Sequence, residues 1–576
     1  MTRFTKTTRS PLTAPLFLLP ALRSPLSALL LPALLLTASC SYDQSRERDP
    51  IAIGDTITIS ILTSTDLHGW IHSWDYATDT ADERYGMAKV ATLVDSVRAI
   101  KPFTMLLDAG DWLQGNQLAA YYANESTDTP YYPLLKAAEL MKYDAFVLGN
   151  HEFNFGIEYL NTRLSQSPGV EYLGANIYVH GTETPAYTPY IIRNVGGVQV
   201  GVVGLTTPGS AIWDRPRVSG RLDFVDGVAA GRRFVEEARA AGAELIVVLA
   251  HCGLESGSSY HDADVPLENF GRELLEQVPG IDLFVFGHSH RVTENVFVAN
   301  ADSSAFIPVI QAGRWASHLG EAELLVTRAT DGTVEVVSAQ TRAYPVVDVQ
   351  PADYIINSTM AYHQATRDYV NKPLATTPDQ WNAEMARLQD SPIVDLIHKV
   401  QLEVTGAQLS AAAVFNTSAN FGPGNISRKE MALIYPYENM LYKIQITGRQ
   451  LRQYLEQSAR FYARVEDGQP VVDRSIPGFN FDTIAGVEYE MDLRRPIGQR
   501  LTRLTYQGQP VTDTQTFTMA LNSYRAEGGG NYSMLADAPV EWRSEVSVRT
   551  YLEEYLEILG EITQDKVFEQ NWRFIW

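Results

Sequence analysis

The sequence predicts a layered α/β domain, then a bridging helix, then an α+β domain. Three observations carry this. Short apolar runs at 103–107, 145–148, 198–204, 245–250 and 283–286 alternate with helix-like segments at 87–100 and 226–241, the pattern of parallel strand pairs with crossover helices. The chain changes character near residue 350, where Tyr354, Met360, Tyr362 and Tyr369 sit among polar residues without a strand run. And 45% hydrophobic with 20% charged residues over 576 positions is enough apolar material for sizeable cores, which excludes a disordered chain. The net charge of −22 argues against a nucleic-acid binder with a broad basic surface. It leaves open a small phosphate ester held by bound metal ions, whose charge dominates locally.

Residues 1–23 carry Arg3, Lys6, Arg9 and Arg23 and no acid, and 24–39 are almost wholly apolar. This reads as an export signal, too short and too broken by Pro25 and Pro32 for a good membrane span. Its end, Leu36-Thr37-Ala38-Ser39-Cys40, resembles a bacterial lipoprotein box with Thr37 as a departure. The expectation is a signal peptide over 1–39, a lipid on Cys40, a polar tether over 40–50, and residence on the periplasmic or cell-surface face of the outer membrane.

The folded body is expected from Ile51. Ile57, Ile59 and Ile61 alternate with Thr58 and Ser60, a strand signal. In this first domain, 51–348, polar groups recur where apolar runs end: Asp66 and His68; Asp108 and Asp111; Asn150, His151 and Glu152; His251; His288 and His290. Strand ends that deliver polar groups to one rim are how open α/β sheets build a site. Imidazole, carboxylate and amide oxygen suit two divalent cations, with Asp111 placed to bridge them. Such a pair stabilises attacking and leaving oxygens at phosphorus and activates water. Gly110, Gly149 and Gly287 permit tight turns and close approach. Cys252 follows His251 and should face inward as a small hydrophobe, and His72, His261 and His318 read as surface or supporting residues.

A bridging helix is expected over 349–373. In the second domain, 374–576, Thr447 is an N-cap candidate for a helix carrying Leu451, Tyr454, Leu455, Ser458 and Phe461-Tyr462 on one side. The segments 486–493 and 516–521 read as strands.

Asp66-x-His68, Gly110-Asp111, Gly149-Asn150-His151-Glu152 and Gly287-His288-x-His290 together resemble the calcineurin-like metallophosphoesterases. With Tyr435-Pro436-Tyr437-Glu438-Asn439 and Asn522-Ser523-Tyr524-Arg525-Ala526-x-Gly528-Gly529-Gly530, the chain resembles the two-domain bacterial 5′-nucleotidases and 2′,3′-cyclic-nucleotide phosphodiesterases over most of its length. The resemblance implies a layered β-sandwich flanked by helices, joined by a helix to a substrate-binding domain. It implies two divalent metal ions (Zn, Mn, Mg, Co or Fe). One would be held by Asp66, His68, Asp111 and His290, the other by Asp111, Asn150, His251 and His288. His151 would act on the phosphate, and the partner would be a small nucleotide, not a nucleic acid.

Three features favour the cyclic-phosphodiesterase/3′-nucleotidase branch over the 5′-nucleotidases. Asn154 stands three residues after His151, where the 5′ branch usually has Asp. The stretch 415–420 lacks the arginine that clamps a 5′-phosphate, with Arg428 only after the turn. Tyr437 and Tyr524 stand where that branch commonly has Phe, and two aromatics can hold a base. The stretches 478–482 and 486–489 agree with this branch. Asn439 and Asn416 are candidate polar contacts to base or ribose. Of a different class is a catalytically inactive surface lipoprotein that captures ligand on the same fold; a complete ligand set speaks against it. A paired-zinc cell-wall hydrolase fits the Asn150-His151 arrangement poorly.

Overall fold

Alternation along the first strand decides the layering. In Thr56–Ser64, Ile59 and Ile61 point into one core while Leu62 turns to another. Met105 and Leu107 repeat this against Leu106, and Val247 and Leu249 against Val248 and Ala250. Strands buried on both faces read as near-continuous apolar runs, and here each face feeds its own core. The structure, a computed structural model, describes residues 49–125, 131–260, 262–301 and 303–576, with Glu545 described by its backbone alone. The expected signal peptide, Cys40 and most of the tether lie outside the described residues, as does His261.

The first domain is two six-stranded sheets stacked face to face between helices. The first sheet runs, in spatial order, Val334–Pro345, His318–Arg328, Thr56–Ser64, Thr104–Asp108, Ala145–Val147 and Glu171–Leu173. The second runs Val292–Ala299, Phe306–Ala312, Leu283–Phe286, Leu245–His251, Val198–Thr206 and Tyr190–Val195. Each has four parallel strands with antiparallel strands at its margins. Helices Met87–Ile100, Gln117–Asn124 and Pro133–Met141 cover the first sheet. Gly227–Ala240, capped by the Asp226 carboxylate on Ala229 N, and Gly271–Gln277 cover the second. The α/β expectation holds.

The 349–373 stretch contains the helix Asp353–Val370. Ile355 and Val370 join the first sheet's outer core, whereas Tyr354 and Met360 are exposed. Its buried face is largely polar. Thr359 Oγ1 meets His72 Nε2 at 2.9 Å, Tyr76 Oη meets His363 Nδ1 at 2.8 Å, and the two imidazoles stack at 4.5 Å. His72 is therefore a buried structural residue, correcting its reading as a surface or supporting one: the helix that covers it arrives from 287 positions away in sequence. Among the described residues no helix is long and apolar enough to cross a membrane.

The second domain packs two larger sheets and the helices Pro392–Thr405, Gly448–Ala459 and Val548–Leu559 around one core. Its five-stranded sheet runs Asp482–Ala485, Leu409–Ala413, Thr516–Asn522, Met440–Thr447 and Val540–Ser547. The second sheet runs Gln509–Pro510, Leu501–Tyr506, Glu488–Asp492 and Trp572–Ile575. Thr447 caps Gly448–Ala459 in a reciprocal box with Gln450, and Leu451, Tyr454, Leu455 and Ser458 are buried. The helix stops at Ala459, so Phe461 and Tyr462 do not belong to it, and Tyr462 opens the strand Tyr462–Glu466. Arg500 Nη1 donates to the carbonyls of Ala459 and Tyr462, both at 2.6 Å, and so satisfies backbone acceptors left free where the helix ends.

Arg525 joins two of the quoted motifs. Its guanidinium forms a fully buried pair with Asp482 at 2.7 Å and donates to the carbonyls of Gly529 (2.5 Å) and Phe479 (3.1 Å). Asp482 also accepts from Tyr454 Oη. Leaving a buried guanidinium unpaired costs about 3–5 kcal/mol. Asp482→Ala is expected to lower the denaturant midpoint accordingly and to increase protease sensitivity of the second domain before the first; equal midpoints for both proteins would contradict this account.

Candidate metal centre

The strand ends that bear the expected ligands meet at one pole of the sandwich, but not as five neighbours in one open sheet. Thr56–Ser64, Thr104–Asp108 and Ala145–Val147 belong to the first sheet, and Leu245–His251 and Leu283–Phe286 to the second. Stacking with a common parallel direction brings both sets of carboxyl ends to the same rim. The backbone stitches it: Asp66 N to Gly110 O, His68 N to Asp111 O, Gly287 N to Ala250 O. His251 Nδ1 donates across the sandwich to Ala109 O at 2.6 Å.

Two donor clusters result, Asp66, His68, Asp111 and His290 in one, Asp111, His251 and His288 in the other. His68 Nε2 lies 3.1 Å from His290 Nε2 and 3.9 Å from Asp111 Oδ2. His290 Nε2 is 3.2 Å from Asp66 Oδ1, and His251 Nε2 is 3.0 Å from Asp111 Oδ2. Asp66, His68, Asp111, His288 and His290 all have φ between +46° and +71°. This region is costly for residues with a side chain, on the order of 1–3 kcal/mol each, and such strain collects at functional sites. Glycine gives room around them. A Cβ on Gly149 would collide with the Asp111 carboxylate, and Gly110 has φ +91°.

Hydrogen bonds leave specific nitrogens free. His68 Nδ1 donates to Gln114 O (2.7 Å) and His251 Nδ1 to Ala109 O, so Nε2 is the lone-pair nitrogen of each. His288 Nε2 meets Glu268 Oε1 at 3.0 Å, which leaves Nδ1. Asn150 Oδ1 is buried with no hydrogen-bond partner among the described residues, a cost that a cation would remove. Burial pushes the His68 pKa down to about 3, keeping it a neutral donor. At His251, burial opposes the charged form, yet the Asp111 carboxylate holds the pKa up at about 10, so a proton competes with a cation for the inward Nε2. The cluster draws positive charge, and its oxygen and imidazole donors fit a pair of divalent cations.

Glu152 has a role the sequence reading did not give it. Fully buried, it accepts from the backbone N–H groups of Asp111, Trp112, Leu113 and Gly149 at 2.6–3.0 Å, clamping two ligand-bearing loops together. Glu268 and Trp213, which stacks on His288 at 5.7 Å, were also missed, since neither stands at a strand end. His151 Nε2 is 4.0 Å from Asp111 Oδ2, and its Nδ1 meets Asn154 Oδ1 at 2.6 Å.

Residues 59–292 match the calcineurin-like phosphoesterase model and 373–537 the 5′-nucleotidase C-terminal domain. A 2′,3′-cyclic-nucleotide 2′-phosphodiesterase/3′-nucleotidase of Salmonella typhimurium is 30% identical, over 90% of this chain and 89% of the relative. This chain belongs to that two-domain phosphoesterase family. A 5′-nucleotidase of Diplobatis ommata is 23% identical over 83% of each chain. The solved structure of a Staphylococcus aureus protein described as a 5′-nucleotidase is 26% identical, with a TM-score of 0.78 over 90% of this chain and all of that one. Phosphoesterases of this family use two divalent metal ions, and the phosphoester hydrolase reading of the chain follows.

In this phosphoesterase the second domain reaches the metal centre through a loop. Glu268 Oε2 accepts from Ser259 N at 2.5 Å, and Ser259 O accepts from Asn531 N of the second domain at 3.3 Å. Tyr437 lies in the field of Arg314, the residue beside His290, and packs edge-on against Phe415 (5.2 Å) and Phe479 (6.2 Å). Tyr524 rests on Gly529, where a Cβ would strike its ring. Gly529 thus makes room for Tyr524, and Gly530 for Asn480 and Arg525. Asn416 Oδ1 accepts from Ser418 N (2.9 Å) and its Nδ2 donates to Leu433 O (3.2 Å), so the side chain holds the turn after Leu409–Ala413. Asn439 accepts from Val548 N through its backbone carbonyl at 2.9 Å.

Chelator-treated protein is expected to take up two equivalents of Mn²⁺ by calorimetry, with about one retained by His251→Ala and weaker uptake at both positions for Asp111→Ala. Undiminished uptake by Asp111→Ala would remove it as the bridge. Cys252 is fully buried and burial pushes its thiol up to about 12. In a Cys40→Ser background it should resist Ellman's reagent at pH 8 and titrate fully in guanidinium.

Proposed function

We propose that the chain opens nucleoside 2′,3′-cyclic phosphates and then removes the remaining 3′-phosphate, using two divalent ions held by Asp66, His68, Asp111, Asn150, His251, His288 and His290. The ions supply Lewis acidity at phosphorus and a lowered water pKa. The chain's own contribution is placement. His151 faces Asp111 across 4.0 Å, where its Nε2 can stabilise or protonate the departing ribose oxygen. Tyr437 and Tyr524 offer ring faces for the base.

The observation that carries the choice of ester is what the local arginines do. Arg387 donates to the carbonyls of Val414 and Phe415 from behind the 415–420 loop. Arg428 is bound to Glu553 (3.0 Å) and Glu557 (3.1 Å) and lies over Tyr369. Neither presents a guanidinium for a 5′-phosphate. The 30% identity to a cyclic phosphodiesterase, against 23% for the Diplobatis 5′-nucleotidase, supports the same reading. Export and a lipid on Cys40 would place the activity outside the cytoplasm, degrading nucleotides to nucleoside and phosphate for uptake. The basic start, apolar stretch and Cys40 support this, and globomycin-sensitive processing with palmitate labelling lost in Cys40→Ser would test it.

Purified, metal-reconstituted protein should turn over 2′,3′-cyclic AMP and 3′-AMP with kcat/KM well above that for 5′-AMP. Dominant 5′-AMP hydrolysis would favour the 5′-nucleotidase reading, and no turnover of any of them the binding-protein one. Tyr437→Ala and Tyr524→Ala should each raise KM for the cyclic substrate about 10-fold, within the ~1–3 kcal/mol of a base–aromatic stack, and change kcat less.

A further inference from the structure

We propose that Asp214 is the positioning carboxylate of His151, acting through Asn154. The inference rests on the phosphoesterase reading of the site, not on the choice of nucleotide. His151 Nδ1 meets Asn154 Oδ1 at 2.6 Å, and Asn154 Nδ2 donates to both Asp214 oxygens at 2.9 and 3.1 Å. Asp214 is 1% exposed and lies between the short helices Ser210–Trp213 and Arg215–Val218. Arg217 Nη1, at 3.5 Å from Oδ1, partly balances its charge.

The direction of this chain follows from donor and acceptor inventories. A carboxylate only accepts, whereas an amide has one donor end and one acceptor end. With Asp214 fixed and buried, the amide of Asn154 has to turn its Nδ2 toward it. Its Oδ1 then faces His151 and accepts the Nδ1 proton, so in the neutral imidazole the proton sits on Nδ1 and Nε2, on the Asp111 side, is left as the nitrogen that takes up a proton and delivers it to a departing oxygen. Without an acceptor-only group behind it, Asn154 could flip, and His151 would have no preferred tautomer. The arrangement keeps a negative carboxylate in line with the imidazole but one residue removed, with a neutral amide transmitting its orientation.

Exchanging the two side chains tests this against a purely structural role for Asp214. On bis(p-nitrophenyl) phosphate, Asp214→Asn is expected to lower kcat about 10-fold with KM within about twofold, while metal content and melting midpoint stay near wild type. Asn154→Asp, which sets two buried carboxylates against each other, should lower it as well. Adding Asp214→Asn to Asn154→Asp restores a carboxylate–amide pair in reverse order and should raise kcat to within about threefold of wild type. The same substitution is then harmful in one background and beneficial in the other, which a loop-holding residue would not produce. Wild-type kcat in Asp214→Asn, or a further fall in the double variant, overturns the proposal. Histidine-selective ¹⁵N spectra of the magnesium-loaded enzyme give a second readout that does not depend on turnover or on the variants folding. The His151 signal, identified by its loss in His151→Gln, should report Nδ1–H; an Nε2–H tautomer overturns the proposal. Wild-type protein inactive on every ester would fault the hydrolase reading instead, and leave the tautomer result standing.

Discussion

Carboxylates and imidazole lone pairs do not gather in a dry interior unless positive charge is shared among them. The rim of the sandwich holds Asp66 and Asp111, both buried, with His68, His251, His288 and His290 around them. Much else in the first domain answers to that constraint. Glu152 uses four backbone donors to hold the Asp111 loop against Gly149. Carbonyls of Gln114 and Ala109 take the outer nitrogens of His68 and His251, so that the inner ones carry lone pairs. Five ligand-bearing residues stand at positive φ. The surrounding strands are rigid enough to bear that strain because both of their faces are packed, one against the other sheet and one against helices.

The second domain solves a different problem with similar means. Of its candidate base-binding rings, Tyr437 packs on Phe479, and the buried Arg525, next to Tyr524, ties its own segment to that of Phe479 by pairing with Asp482 and capping carbonyls of Phe479 and Gly529. A buried ion pair of this kind is weak evidence for stability. Its value here is registry: one guanidinium, with fixed donor directions, sets the place of Tyr524 relative to Phe479.

The metal-competent residues were legible because each follows an apolar run, and strand periodicity is the strongest signal a sequence carries. Their division between two sheets was not legible, since nothing local in 245–251 or 283–290 says which sheet the strand joins. The outermost strands Val292–Ala299 and Val334–Pro345 escaped for a related reason: apolar residues such as Phe297 and Val337 face solvent there, so the pattern does not mark a buried face. Supporting residues were harder still. Asp214 and Glu268 act at separations of 60 and 20 residues, and neither has a pattern of its own. His72 looked peripheral because its partner, Thr359, is contributed by the bridging helix. Asn416 shows a short polar side chain after a strand acting as a turn former, with hydrogen bonds to Ser418 N and Leu433 O.

Three consecutive residues bring these threads together. Trp213 stacks on the ligand His288, Asp214 orients Asn154 and through it His151, and Arg215 faces Glu527 of the second domain at 3.5 Å. Glu268 does something parallel, with one oxygen on His288 and the other on the Ser259 backbone that receives Asn531 of the second domain. A half-exposed pair at 3.5 Å such as Arg215–Glu527 adds little energy by itself. Its place in the chain matters more, because the turn that touches the second domain is the same turn that packs on a candidate metal ligand on one side and reaches Asn154 beside His151 on the other. Movement of the second domain away from the rim would therefore loosen both supports of the site together, so that the geometry needed for catalysis and the geometry that encloses the substrate are reached in one step.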